Sequence, residues 1–229
     1  MKINAYINTI VRNGEDIVRF CLSSILPYVE KAIVTIDSRS NDNTRGILKE
    51  MKKEFPNLEV DEYEVRDPVK DLVIMRNLQL LKSKGKWVWI VDSDEYYPKD
   101  TMDSLVNILN FEENDYDVYA LKCWAIWDKE KGHKSSSKAV IPRIFRKDYN
   151  LFWKGNFGRE KLYKGSVSMC ASHNPRFREL MLRYIHLTHV KKDSWRKEMG
   201  QERVADGKYL YPLPEEVLNI INSFNIQKI

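Results

Sequence analysis

The sequence predicts an α/β domain with a mixed, mainly parallel central sheet flanked by helices, and three observations carry that expectation. Over the first two thirds of the 229 residues, short apolar runs alternate with segments of helical period, the pattern of βαβ units feeding a parallel sheet. One run, Trp87 to Val91, is β-branched and aromatic without polar alternation, as a strand buried on both faces should be. A hydrophobic content of 43% suffices for one substantial core, so a single domain is expected across 1–229.

Each element follows from its own residues. Ile3 to Val11 reads as the first strand. Glu15 to Leu26 then places Ile17, Val18, Cys21, Ile25 and Leu26 on one helical face and stops near Pro27. Ala32 to Ile36 is the second strand, ending at Asp37, and Ser38 to Thr44 is dense in turn and capping residues before a helix that ends near Phe55. Leu58 to Val65 makes the third strand. Val69 to Lys82 carries Val73, Met75, Leu78 and Leu81 at helical spacing, with Lys84-Gly85-Lys86 supplying a cationic end and a glycine cap. Trp87 to Val91 follows, and after Pro98 a helix to about Asn110 precedes a long alternating run, Val118 to Trp127. Lys129 to Lys138 reads as a mobile loop, Val140 to Arg146 as a strand carrying Arg143 and Arg146, and Gly155 to Gly158 as a turn cluster before Arg159 and Glu160. Met181 to Val190 is a further strand holding His186 and His189. A polar helix, Asp193 to Asp206, comes next, and past Pro212 and Pro214 lies a short amphipathic tail, Glu215 to Phe224.

Charge is uneven. The net +5 hides a stretch, 129–164, with eleven Lys or Arg against Glu130, Asp148 and Glu160, a local +8 that leaves the rest near −3. Such asymmetry fits either an anionic partner or a solvated charged loop. Cys21, Cys123 and Cys170 stand at unrelated spacings, which argues against a Cys-x-x-Cys zinc or redox motif and for reduced thiols. No run approaches the roughly 18 apolar residues of a membrane span, and the start lacks a signal peptide's apolar core, so a cytoplasmic location is expected.

The chemistry gathers where the apolar run ends, on Asp92-Ser93-Asp94-Glu95. In open α/β sheets ligands sit at the carboxyl edge, and a spacing of i, i+2 sends Asp92 and Asp94 the same way if the strand stays extended. Two convergent carboxylates suit a hard divalent cation that keeps water or phosphate in its other positions. The plainer alternative is an acidic strand-to-helix turn in which Asp94 caps the next element.

Four stretches in order, Asn8 to Asp16, Ile36 to Thr44, Met75-Arg76-Asn77 and Val91 to Glu95, resemble the ordered motifs of family 2 glycosyltransferases. The resemblance implies a GT-A-like, Rossmann-like domain: 1–98 as nucleotide-sugar-binding half, 115–190 as acceptor half, 191–229 as C-terminal helical tail. It implies transfer of a sugar from a nucleoside-diphosphate donor, a UDP-sugar favoured, to an acceptor hydroxyl with inversion and with Mg²⁺ or Mn²⁺. By the same match Asp94 is the direct metal ligand and Asp92 sits nearer the ribose. Asp37 accepts from the donor's base or ribose, Val11, Asn13 and Glu15 lie beneath the nucleoside, and Arg76 holds phosphate or positions the acidic loop.

Further on, Pro142 to Arg146, Phe152 to Gly155 and Arg159-Glu160 are similar to a branch of that family that ends this block in Val-His-Glu. Here Arg159 stands in place of the His, and the glycine-to-glutamate gap is one residue longer. On that match Glu160 is the general base of an inverting displacement, with Asp128 in reserve; its other reading is a surface partner of Arg159 or Lys161. A late-strand histidine supplies a third metal ligand, His186 ahead of His189, because Tyr184, His186 and Thr188 alternate onto the more polar face. Trp124, Trp127 and Trp153 offer either a sugar platform or ordinary packing.

Because the +8 stretch falls in the acceptor half, the expected acceptor is anionic. A phosphorylated glycan or lipid-linked sugar comes first, ahead of a peripheral contact with an anionic membrane surface and of a nucleic acid. Two other function classes stay open. A nucleotidyltransferase ordinarily needs a glycine-rich loop after the first strand, for which Val11 to Glu15 is short and glycine-poor. A non-catalytic sugar-nucleotide or nucleic-acid binding module is disfavoured by retention of the carboxylates.

Overall fold

Alternating buried strands and helices set the architecture in the computed structural model, which describes residues 1–111, 115–128, 132–148, 150–156, 160–170 and 176–187, together with Glu215 and Asn219. For 126–128 and 132–139 it describes the backbone alone. β1 (Ile3–Val11) lies parallel between β2 (Val29–Asp37) and β4 (Trp87–Ile90), with β3 (Leu58–Tyr63) parallel outside β2. Beyond β4 the sheet continues antiparallel into β7 (Gly132–Arg146) and β6 (Val118–Asp128), then parallel into β11 (Phe177–His186). It ends on the two residues of β5 (Glu95–Tyr96), giving the order β3-β2-β1-β4-β7-β6-β11-β5. The expected mixed, mainly parallel sheet is therefore present, and the three-strand switch through β7 is what brings a late strand to the end of β4.

Helices cover the faces: α1 (Val18–Ser23), α2 (Thr44–Glu54), α3 (Pro68–Lys82) and α4 (Lys99–Phe111). A second sheet of β8 (Leu151–Lys154), β9 (Lys161–Lys164) and β10 (Val167–Ser168) leans on α3, where Asn77 exchanges two hydrogen bonds with the Trp153 backbone at 2.8 and 3.1 Å. Trp87 and Trp89 are fully buried and meet Tyr119 and Tyr97 edge to face. A fully buried side chain of that size contributes roughly 2–3 kcal/mol, so the strand that ends at the acidic turn is among the best anchored in the molecule.

Four expectations need correction. The first helix is shorter than Glu15 to Leu26: Gly14 O accepts from Ile17 N and Val18 N, and a separate 3₁₀ turn, Leu26–Tyr28, carries the chain over Pro27. α3 does not bury Leu78 and Leu81, which are 45% and 78% exposed; it turns Arg76 and Gln79 inward beside Met75 and Leu80. The reason is that β1 offers polar partners there. Gln79 Nε2 donates to Thr9 O and Thr35 Oγ1, and Arg76 Nη1 donates to Asn8 O.

Gly85 is not a left-handed cap, since α3 ends at Ser83 in extended conformation with its amide on Gln79 O. A Cβ at Gly85 would stand 2.6 Å from the Tyr6 ring, so close packing against β1 selects glycine. The basic stretch expected as a loop continues as β7 from Gly132, because β6 runs on to Asp128 and offers its backbone as a ladder partner, Asp128 opposite Gly132. The helix expected over 193–206 lies outside the described residues, as do His189 and Arg159; in the expected tail, Glu215 and Asn219 are helical and exposed. Among the described residues no helix is long and apolar enough to cross a membrane, and the three cysteines carry free thiols.

Candidate active site

The strand does not stay extended past Ile90. Glu95 N donates to Asp92 O at 3.0 Å, closing a turn, and Leu187 N donates to Asp94 O at 2.8 Å, strapping that turn to the end of β11. Asp92 and Asp94 consequently reach different partners rather than pointing the same way. Asp92 lies between two guanidiniums: Arg76 Nη2 donates to Oδ1 at 3.0 Å and Arg143 Nη2 to Oδ2 at 3.2 Å. Asp94 Oδ1 lies 3.2 Å from His186 Nε2. Glu95 is fully buried, with Arg143 on Oε1 and the Tyr97 hydroxyl donating to Oε2 at 3.0 Å.

Burial and charge set the protonation states. Burial pushes the Asp92 carboxyl upward, but the Arg143 and Arg76 guanidiniums more than offset it and hold the group below the usual carboxylate range. For Glu95 burial wins and lifts the carboxyl to about 7, Arg143 opposing while Asp92 and Asp94 add to the rise. Burial alone would lower the His186 imidazolium, yet the adjoining Asp94 carboxylate raises it well above the ordinary histidine value.

The donor set suits a divalent cation. One ligand atom each from Asp92, Glu95 and His186 lies within 4.8 Å of the others, and Asp94 adjoins the imidazole. Carboxylate oxygens with one imidazole nitrogen match Mg²⁺ or Mn²⁺ chemistry better than a thiol-seeking metal. Both Asp92 oxygens and both Glu95 oxygens accept from arginine or tyrosine, and Asp94 Oδ1 and His186 Nε2 adjoin each other.

At the ends of β1 and β2 two loops are laced together. Gly14 N donates to Thr44 Oγ1 at 2.7 Å, Glu15 N to Asp42 Oδ2 at 2.9 Å, and in return Asn43 N donates to Glu15 Oε2 at 2.9 Å. Asn13 adopts a left-handed φ of 47°, which asparagine tolerates, and its Oδ1 accepts from Asn41 N at 2.9 Å. The side chains of Asn13 and Glu15 therefore shape the loop floor by holding its neighbour, while Val11 is buried at the strand end. Asp37, fully buried at the end of β2, takes Arg39 in a fork, Nη2 at 2.7 Å and Nε at 3.1 Å.

Glu160 stands just before β9. Its Oε2 is buried and has no hydrogen-bond partner among the described residues. Trp153 is buried, with Arg76 over its ring at 5.9 Å, and Trp124 is half-buried, with Arg183 over its ring at 4.5 Å. The Trp127 and Asp128 side chains lie outside the described residues. Sequence reasoning missed Arg143 and Glu95 as members of the site. The signal was a lone cation in the otherwise uncharged run Ile141 to Phe145, at an inward position of its strand.

Comparison with known proteins supplies independent findings. The sequence profile described as Glycosyl transferase family 2 matches residues 6–181. A poly(ribitol-phosphate) beta-glucosyltransferase of Bacillus spizizenii is 30% identical over 172 residues, covering 73% of this chain and 26% of that protein. An uncharacterized glycosyltransferase, the MG060 homolog of Mycoplasma pneumoniae, is 27% identical over 129 residues, 54% of this chain and 42% of the other. The chain thus spans about a quarter of the first relative and under half of the second. Among solved structures, S. aureus TarS (1–349) in complex with UDP-GlcNAc shares the fold with a TM-score of 0.59 at 19% identity, covering 99% of this chain and 66% of that one. A second TarS crystal structure gives a TM-score of 0.57 at 18% identity, covering 83% and 62%.

Proposed function

Because the chain belongs to glycosyl transferase family 2, we propose that it moves a sugar from a nucleoside-diphosphate donor, uridine diphosphate favoured, to an acceptor hydroxyl with inversion and with a divalent cation. The observation that carries this reading is the convergence of Asp92, Asp94 and Glu95 at the end of β4 with His186 at the end of β11. Asp94 and His186 would hold Mg²⁺ or Mn²⁺, which when bound neutralises charge developing on a departing diphosphate.

This chain's own residues would do the rest. Arg76, buried and seated on Asn8 O, would hold Asp92, whose side chain is 35% exposed, for a ribose. Asp37 with Arg39 offers a buried acceptor and a guanidinium to the base, and the laced loops around Val11, Asn13 and Glu15 form the floor beneath it. Glu160, with an oxygen that no described residue satisfies, would take the acceptor's proton. The acceptor we favour is an anionic glycan, a phosphorylated or lipid-linked sugar. The Bacillus relative's name, with a poly(ribitol-phosphate) in it, supports that reading, as does the basic stretch 129–164.

The test is a thermal-shift screen of nucleoside diphosphates and their sugars with and without Mn²⁺, UDP-GlcNAc first because the TarS structure was solved with it. Stabilisation by a UDP-sugar that depends on Mn²⁺ is the expected result. Stabilisation by no nucleotide under either condition overturns the reading.

A further inference from the structure

The metal-dependent transfer reading leaves one buried group unaccounted for. Arg143 projects from β7 with its side chain 10% exposed and its guanidinium between two elements of the site. Nη2 donates to Asp92 Oδ2 at 3.2 Å, to Glu95 Oε1, and to the Tyr184 hydroxyl at 3.1 Å, while Nε reaches the same hydroxyl at 3.3 Å. The guanidinium carbon lies 5.2 Å from the Tyr184 ring centre. Nε and Nη2 together hold the Tyr184 hydroxyl, a two-nitrogen grip that a single ammonium lacks.

We propose that Arg143 is a positioning residue that occupies an oxygen of Asp92 and one of Glu95 and so withholds them from the divalent cation, leaving Asp94 and His186 to take it. The inference rests on the transfer reading above and adds to it a division of labour among the carboxylates. Ligand atoms of Asp92, Glu95 and His186 lie within 4.8 Å of one another, so a bare cluster would chelate a cation through Asp92 and Glu95. Each of their four oxygens accepts instead from Arg76, Arg143 or Tyr97. A cation held too well by the protein would be poorly shared with a diphosphate. Purely structural buried ion pairs are often replaceable by apolar groups without loss. A guanidinium set between two carboxylates at the ligand edge of the sheet instead controls which of them is available.

The test compares Mn²⁺ binding without nucleotide, followed by the electron-spin signal of free Mn²⁺, with transfer or donor hydrolysis in the same proteins. In Arg143→Gln one oxygen of each carboxylate loses its guanidinium: Mn²⁺ should bind about tenfold or more tightly, and turnover should fall about tenfold or more through misplacement. Tyr184→Phe, which loosens one side of the fork, should move both quantities the same way by less. If Arg143→Gln does not fold, the doubly changed Arg143→Gln/Glu95→Gln, which leaves no unpaired charge at position 95, should still bind Mn²⁺ more tightly than wild type. Mn²⁺ binding that weakens together with thermal stability, or that is unchanged in all three variants, overturns the proposal while leaving the transfer reading standing. Wild-type protein that binds neither Mn²⁺ nor UDP overturns the transfer reading, and this one with it.

Discussion

His186 and Asp94 are 92 positions apart in sequence and 3.2 Å apart in the fold, joined because β11 ends beside the turn that β4 begins. If this pair holds the cation, Asp94→Asn should abolish Mn²⁺-dependent stabilisation by a UDP-sugar while the protein still melts cooperatively. His186→Ala should weaken the same response by about tenfold or more, in the range for removing a metal-site partner. Both are read by donor thermal shift at several Mn²⁺ concentrations, and an undiminished Mn²⁺ response in Asp94→Asn removes that residue from the role.

The proposed base makes a different prediction. Glu160→Gln keeps the shape of the side chain but cannot accept a proton, so transfer should drop by at least ~10²-fold with donor affinity preserved. Equilibrium binding of the donor and single-turnover transfer separate the two effects. Transfer near the wild-type rate would move the assignment to Asp128 or elsewhere.

These residues were unequally legible in the sequence. The acidic turn could be found from the apolar run that it ends, and Asp37 and Arg76 from the ordered motifs that resemble family 2 glycosyltransferases. Arg143 could not, because its partners Asp92 and Glu95 lie about fifty residues earlier and are reached only when β7 inserts antiparallel beside β4. Local pattern says which face a residue occupies, not which strand will lie next to it. The same limit explains α3. Its outward Leu78 and Leu81 fit an apolar stripe, and the inward choice of Arg76 and Gln79 depends on the carbonyls of Asn8 and Thr9 some seventy positions away.

Asp42, which sequence reasoning took as a turn residue, gives a pH prediction. Burial pushes its carboxyl up, but the Thr44 hydroxyl and the amides of Glu15 and Thr44 donate to it and hold it below its ordinary 3.8. A depressed folded value means that the contribution to stability is complete above 3.8 and is lost as pH falls through the folded value. Asp42→Asn cannot accept all three bonds, so it should cost about 1–2 kcal/mol at neutral pH. The gap to wild type should narrow in acid. Urea midpoints across that range decide it, and a gap independent of pH would mean that the charge contributes nothing.

The last prediction concerns the acceptor, where the fold sharpens an argument from charge. Of the basic residues in 129–164, Arg143 is engaged by Asp92 and Glu95, Arg146 by Asp117 at 3.0 Å, Lys147 by Leu80 O at 2.9 Å and Lys164 by Asp148 at 2.7 Å. These cannot recognise a partner without breaking internal contacts. Lys154 and Lys161 are exposed, and Lys131, Lys134 and Lys138 have side chains outside the described residues. Reversing those last three to Glu should raise the acceptor KM, more at low salt than at high because exposed charges are screened, and leave the donor KM nearly unchanged. The salt response also distinguishes the acceptor classes. A nucleic acid gives a steep linear fall of log affinity with log salt, whereas each basic residue at an anionic bilayer adds only about 1 kcal/mol and responds to vesicle composition. A phosphorylated glycan should show the shallow salt dependence of a few phosphate contacts and no dependence on vesicles. Acceptor kinetics indifferent to both the reversal and the salt would leave the basic stretch a solvated surface and end the case for an anionic acceptor.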